Sequence, residues 1–364
     1  MIDAHRRQSL ARAFVGFLPL EDRARHPTYW AICRGVAEDP FLLELADVVP
    51  APQLPVNVFL AAVHHLLLEG ADHELATHYR SVCERRGLAF RPTTDLGITA
   101  SFASFCGEFR GEIAERCAVR ATQTNEVGRC AVLRATLASL HPNGAVGLLD
   151  AGCSAGLNLL VDAYGCDYDG VLAGPTGAAP VLRCALVGAP PPLELPQVAA
   201  RVGLDLSPVD VTDHDAVAWL LACLWPDDLE RFERLEQAVS LAAARRSELE
   251  LRRGDMVDDL ASAARATDAP HLVIVNSWSA SYLEVERRHE FAAAVAAVAA
   301  TRATSWIAME FPSVARDLGV LRPDAVLAHR ASVVCVTDFD RTVAASRVVA
   351  EAHPHGRWLH WRSA

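Results

Sequence analysis

The run Val146-Gly147-Leu148-Leu149-Asp150-Ala151-Gly152-Cys153-Ser154-Ala155-Gly156-Leu157-Asn158-Leu159 decides how the rest of the chain is read. Its first part is an apolar segment with the length of a strand buried on both faces. A turn of small residues follows, and residues 157–164 then read as a helix. In a parallel sheet such a turn lies at the carboxyl end of a strand, where glycine lets backbone approach a ligand and a following helix offers unpaired N–H groups. Gly152 and Gly156 are the expected contact points, with simple packing as their alternative use.

Around this strand the pattern alternates. Residues 202–205, 249–253, 271–276 and 305–310 read as strands, and 231–247, 257–265 and 284–300 as the helices between them. That alternation predicts a mainly parallel sheet covered on both faces. Residues 332–337, 341–349 and 357–361 read as strands with short links, an antiparallel edge. The Gly- and Pro-rich stretch at about 165–200 reads as an insertion with a small hairpin. Upstream, residues 125–140 read as one long helix closed by His141-Pro142-Asn143-Gly144, after further helix at 102–110. Before these, apolar residues recur at helical spacing, as in Leu10-Phe14-Leu18 and Phe59-Leu60-Val63-Leu66-Leu67, with stops at Pro50-Ala51-Pro52, Pro55 and Glu69-Gly70. Two domains are expected: an α-helical one at 1–120, acting as a lid or substrate domain, and an α/β one at 121–364.

Composition narrows the function. The net charge of −11 argues against nucleic acid as a partner. All 34 basic residues are arginine, so chemistry that needs a lysine amine, such as a Schiff base or a Walker-type phosphate loop, is excluded. The 10 cysteines stand singly, without a C-x-x-C pair, as reduced thiols do in a cytoplasmic protein. No apolar run reaches the roughly 20 residues of a membrane span, and the start Met1-Ile2-Asp3-Ala4-His5 does not read as a secretion signal. His64-His65, His73 and His78 read as packing or surface histidines, and no metal site is expected.

The spacing at the loop is D-x-G-x-S-x-G, where a dinucleotide loop would read G-x-G-x-x-G. It resembles motif I of the class I S-adenosylmethionine-dependent methyltransferases. The chemistry is reasonable, because a carboxylate can hold the ammonium of a zwitterionic methionine tail, directly or through water. The resemblance implies S-adenosylmethionine as cofactor, bound by Asp150, Gly152, Ser154, Gly156 and Asn158, on a Rossmann-like class I methyltransferase fold with an antiparallel edge.

The ends of the other strands supply the remaining candidates. Asp205 is expected to reach the ribose hydroxyls, although it lies 55 positions after Asp150 where ~20 is usual. Asp210 and Asp213 are rivals, Asp213 also as a helix cap. Asp255 resembles the acid that bonds the adenine amino group, with Met256 on the ring; a turn and cap would explain it equally. At the fourth strand, Asn276 is expected on the cofactor, Ser277 on the substrate and Tyr282 in catalysis. Glu310 holds the same position on the fifth strand, at the crevice or as a solvated strand end. The polar segment 120–129 offers Gln123, Asn125 and Arg129 for substrate, the last pairing with a carboxylate, and Glu126 as base; Thr124 or Asn125 could instead cap a helix. Glu126, Tyr282 and Glu310 are the candidate general bases. No (Asp/Asn)-Pro-Pro-(Tyr/Phe) signature is present, so methylation of a nucleobase is not expected. His353-Pro354-His355-Gly356 reads as a turn.

The chain as a whole resembles the bacterial proteins grouped as domain-of-unknown-function family 2332. The likeness rests on Gln123-Thr124-Asn125-Glu126, the run 150–159, Gly203-Leu204-Asp205, Trp225-Pro226-Asp227 and His353-Pro354-His355-Gly356. It implies a methyltransferase-like protein. The expected function is a cytoplasmic, S-adenosylmethionine-dependent enzyme acting on a small molecule, most simply a methyltransferase. Two alternatives are intramolecular cyclisation of the cofactor with release of methylthioadenosine, and a binding module without turnover.

Overall fold

The computed structural model describes residues 2–18, 24–51, 53–92, 95–123, 125–329, 331–340 and 343–362. Met1, Pro52, Thr124 and Arg341, which enter the sequence reading, lie outside the described residues. The chain divides into two compact units, Met1–Thr124 with Asp213–Glu233, and Asn125–Thr212 with Arg234–Ala364. The segment Asp213–Glu233, placed with the second domain by its sequence neighbours, thus packs with the first.

The first unit is helical. Asp3, Asp39 and Asp213 accept backbone N–H groups at the starts of the helices Ala4–Gly16, Pro40–Ala46 and His214–Ala222, the use expected of a short acidic cap. Helix Pro55–Leu68 carries the core: Phe59 meets Phe14 and Phe102 edge-on, and both Phe59 and Phe14 are fully buried. Its two histidines are buried as well. His64 donates from Nδ1 to Ala222 O and accepts from Ser81 through Nε2, and burial holds its pKa down to about 3, so it is a neutral packing residue. Among the described residues no helix is long and apolar enough to cross a membrane.

The second unit is built on twelve strands: β1 (Val146–Ala151), β2 (Gly165–Tyr168), β3 (Val171–Ala173), β4 (Val181–Arg183), β5 (Ala185–Gly188), β6 (Val198–Asp205), β7 (Glu250–Arg253), β8 (His271–Ser277), β9 (Thr304–Glu310), β10 (Ser332–Asp340), β11 (Val343–Ala352) and β12 (Trp358–Trp361). Nine form one sheet in the order β5-β12-β11-β10-β9-β8-β1-β6-β7. From β7 to β9 all neighbours are parallel, whereas β10, β11 and β12 pair antiparallel. The parallel half winds outward from β1 in both directions, the 3-2-1-4-5 order of a doubly wound sheet.

β1 and β9 are buried at every position, and β8 at all but its first residue, because both faces are covered. On one face Leu149, Val202, Ile274 and Trp306 pack with Phe291 and Val295 of helix Val285–Ala299 and with Leu260 and Ala263 of helix Leu260–Ala264. On the other, Leu148 and Asp150 meet Leu133 and Leu137 of helix Arg129–Ala138.

Three local expectations change. Residues 157–164 do not form a helix; a single 3-10 turn, Leu157–Leu160, precedes β2. The Tyr164 hydroxyl takes the Leu157 carbonyl, and Val161 N bonds to Asn158, so the helical ladder never starts. The long helix expected at 125–140 begins only at Arg129, because Glu126 turns its carboxylate onto Gly128 N. The insertion is more than a hairpin: β3-β2-β4 form a small sheet, held to helix Arg129–Ala138 by the Tyr168 hydroxyl on Ala131 O, and β5 becomes the outer strand of the main sheet beside β12.

Phe291 is fully buried with its ring edge-on to Trp306 at 5.7 Å. Phe291→Ala should cost about 3–5 kcal/mol in denaturant unfolding; a loss below about 1 kcal/mol would show that this face of the sheet is not the tightly packed layer described.

Candidate functional site

The strand ends of the second unit converge on one edge of the sheet. β1 ends at Ala151, β6 at Asp205, β8 at Ser277 and β9 at Glu310, and the winding reverses between β1 and β8. In open sheets ligands are received at that reversal, outside the carboxyl ends. β10 enters antiparallel beside Glu310, so β11 finishes at Ala352 on this same edge and delivers the turn His353-Pro354-His355-Gly356 there.

The loop after β1 folds through three left-handed residues, Gly152 (φ 86°), Ser154 (φ 50°) and Gly156 (φ 70°). Asp205 clamps it: one carboxylate oxygen accepts Ser154 N at 2.8 Å, and the other accepts Ser207 N at 2.8 Å. The two glycines face protein. A Cβ at 152 would overlap Ser279, whose hydroxyl bonds to Ala151 O at 2.6 Å, and one at 156 would lie 2.6 Å from Leu251. Their small size lets the loops after β1 and β8, and the side chain of β7, close on one another.

Alternation along β1 turns Asp150 to the inner face. With Asn158 it lines a cavity of about 10 Å³ whose other walls are apolar, from Leu133 to Val275. Its Oδ2 has no hydrogen-bond partner, and burial, helped by the charge of Asp205 and opposed by Arg129, pushes its pKa up to about 7. The Asn158 Oδ1 is met by the Cys130 thiol at 3.2 Å. Asp255 accepts Val257 N and Asp258 N and pairs with Arg287 at 2.7 Å; Met256 lies in the core. Asn276 is fully buried and bonded at both ends, donating to Glu310 at 2.8 Å and accepting from the Trp306 indole at 2.7 Å.

Glu310 is not a solvated strand end. It is fully buried and accepts Asn276 Nδ2, Ala280 N and Ser281 Oγ at 2.8, 3.0 and 2.8 Å, so it braces the turn after β8; burial raises its pKa. Tyr282, on that turn, is 61% exposed. Ser277 is buried, and its carbonyl accepts Arg129 Nη1 at 3.0 Å.

The segment before helix Arg129–Ala138 also reaches this edge. Asn125 donates to Cys153 O of the loop at 3.3 Å, which is a tie between segments and not a helix cap. Arg129 is buried: besides Ser277 O it donates to Pro354 O at 2.8 Å, and its guanidinium lies 5.4 Å from the Trp278 ring centre. Glu126 is buried; Oε1 accepts Gly128 N and Arg234 at 3.0 Å each, and Oε2 lies 3.2 Å from His355 Nδ1. Gln123 belongs to the first unit, where its backbone meets the Cys223 thiol.

Trp278 belongs to the polar and aromatic run 276–282, which the sequence marks as a site lining at the end of the fourth strand, although nothing in the sequence singles it out there. Trp278 sits at φ 64°, a strained conformation for a bulky residue that costs on the order of 1–3 kcal/mol. It is held by Trp278 N on Met309 O and by its indole on Ser332 Oγ, and it packs on Phe311 with ring centres 4.2 Å apart. The turn residues of 353–356 also gave a signal, and they read as a turn. In the first unit His65, Glu69 and Asp215 also gather, but Arg116 pairs with Glu69 and Arg120 with Asp215, so cations of the protein already occupy those carboxylates.

Fold and edge together define a mixed α/β protein whose polar groups collect where a doubly wound sheet ends. Residues 11–361 match the family described as "Uncharacterized protein conserved in bacteria (DUF2332)", and the chain belongs to that family. A search of curated proteins finds none that matches.

Asp150 has a stability consequence. Its folded pKa of about 7 lies above the ordinary 3.8, so the native state keeps a proton that the unfolded chain has lost between those values. Stability from this group is complete below pH 4 and falls by about 1.4 kcal/mol per pH unit up to pH 7. Asp150→Asn should therefore gain on the wild type steadily as urea midpoints are measured from pH 4 to 7; parallel profiles would place the carboxyl in contact with solvent.

Proposed function

We propose that the second unit binds S-adenosylmethionine at the carboxyl edge of its sheet and uses it on a small-molecule acceptor, most simply as a Rossmann-like class I methyltransferase. The observation that carries the reading is the clamp between Asp205 and Ser154 N at 2.8 Å in a sheet wound 3-2-1-4-5. An acid at the end of the second strand beside the loop at the end of the first is where a ribose is received.

The residues present fit the cofactor at this end. Asp205 is only half-buried, and its carboxylate can exchange backbone N–H partners for ribose hydroxyls; the left-handed loop 152–156 adds backbone groups beside it. The adenine end does not fit as the sequence suggested, because Asp255 is held by Arg287, Met256 is core and Asn276 is bonded at both ends. Those three drop out of the proposed cofactor set, and Asp150 faces the small buried cavity beside Asn158. A bound sulfonium supplies an activated methyl group; the protein aligns the acceptor and excludes water.

Titration calorimetry should show binding of S-adenosylmethionine and S-adenosylhomocysteine, weakened about 10- to 100-fold by Asp205→Ala, the loss of charged hydrogen bonds worth about 1.5–3 kcal/mol. Substitutions at Gly152 or Gly156 would report packing, so they do not serve. Mass spectrometry of the products then sorts the chemistry: S-adenosylhomocysteine marks methyl transfer, methylthioadenosine marks attack by the cofactor's own amino group, and binding without either marks a module without turnover. Absence of binding, or tight binding of a nicotinamide cofactor in its place, sinks the reading.

A further inference from the structure

We propose that a cleft between the helices Ala4–Gly16 and Pro27–Glu38 of the first unit binds an aliphatic monocarboxylate of medium chain length, with the chain along the cleft and the carboxylate at Arg12 and Arg34. The site belongs to the first unit alone and does not depend on the cofactor reading.

Each helix supplies one wall through its spacing. On the first helix the cleft is lined by Gln8, Ala11, Arg12, Val15 and Gly16, and on the second by Trp30, Cys33, Arg34, Ala37 and Glu38. Both sets follow the i, i+3, i+4, i+7, i+8 pattern of a single helix face. Phe14 and Leu18, both buried, complete the lining. Ala11, Gly16 and Ala37 leave room that larger side chains would take, and a Cβ at Gly16 would meet nothing within 4 Å. The result is a mainly apolar cleft of about 530 Å³, within the roughly 300–1,000 Å³ typical of small-molecule sites. Val15 remains 60% exposed on its wall, which a bound chain would cover.

The charges of the lining decide which end of a ligand is held at the mouth. Two arginines and one glutamate give it a local positive excess, on a chain whose net charge is −11. Arg12 and Arg34 line the cleft and are nevertheless exposed, so their stems lie on its wall and their guanidinium groups reach water. Among the described residues neither has a hydrogen-bond or ion-pair partner, whereas Arg6 and Arg7 of the same first helix pair with Asp47 and Glu44. A carboxylate takes paired N–H groups from such a guanidinium. Glu38 on the second wall disfavours a dianion, so a singly charged head suits this mouth better than a phosphate. Residues 8–16 of a helix rise about 12 Å, which sets the length of chain that the wall can cover.

The probe is sodium octanoate, titrated calorimetrically into the full chain at low salt. Wild type should bind one equivalent. Octanol, with the chain and no charge, and acetate, with the charge and no chain, should each bind at least about tenfold more weakly. Arg12→Gln and Arg34→Gln should each weaken octanoate a few-fold and the double variant about tenfold, since exposed ion pairs contribute little singly, and added salt should narrow the difference. Ala37→Phe fills the cleft and should abolish binding; Ala11→Phe fills it from the opposite wall if the first variant does not fold. Urea midpoints of the arginine variants should match wild type, because the replaced side chains are exposed. No binding by wild type, equal affinity for octanol, unchanged affinity in the double arginine variant, or undiminished binding by a folded phenylalanine variant would overturn the proposal. Self-association of wild type that Ala37→Phe abolishes, without octanoate binding, would give the cleft to a second copy of the chain and overturn it as well.

Discussion

A sheet covered on both faces can meet solvent only at the ends of its strands, and this constraint governs the second unit. Because β1, β8 and β9 are buried nearly throughout, every polar side chain within them must find a partner inside the protein or stand at the edge. Asn276 and Glu310 take the first course and satisfy each other. Asp150 takes neither fully: one oxygen lacks a partner, and the carboxyl resolves the cost by holding its proton more tightly. The exposed chemistry is left to residues at the strand ends or just beyond them, among them Asp205, Trp278, Phe311 and the turn after β11.

The same constraint explains the glycines. The loop after β1 packs against its neighbours on both sides, the loop after β8 and the side chain of β7. Ser279 occupies the space that a side chain at 152 would need, and Leu251 the space beside 156. Small residues at this seam are demanded by the loops themselves, so a glycine-rich turn is necessary for such an edge whether or not a ligand touches it. The acid that clamps the turn is a better guide to ligand chemistry than the glycines, because packing alone does not ask for a carboxylate.

How far the sequence could be read follows from these facts. Strands buried on both faces appear as uninterrupted apolar runs, and the stretches at 271–276 and 305–310 lie within one residue of β8 and β9. Residues 157–164 are apolar too, and nothing in their spacing reveals that a tyrosine hydroxyl takes the carbonyl a helix would use. Asp213–Glu233 looks like any crossover helix, and its packing with the first unit depends on long-range partners such as Thr28 with Asp227. At the site, residue type was legible but direction was not. A carboxylate at the end of a strand points to a crevice or to a core according to the parity of the pleat and to its neighbours' donors, and Glu310 and Asp255 had those donors within reach.

The charged cluster at the edge shows what such direction is worth. Glu126 is buried, yet it has the backbone N–H of Gly128, the guanidinium of Arg234 and the imidazole of His355 around it. Arg129 is equally buried and donates to two carbonyls beside an indole face. Glu126 ties the turn at Gly128 to Arg234, and Arg129 ties the end of β8 to the turn after β11. Neither the turn at 126–128 nor the turn at 353–356 is held by strand pairing, so hydrogen bonds to charged groups, stronger than those between neutral ones, fix the loops where the sheet itself no longer does.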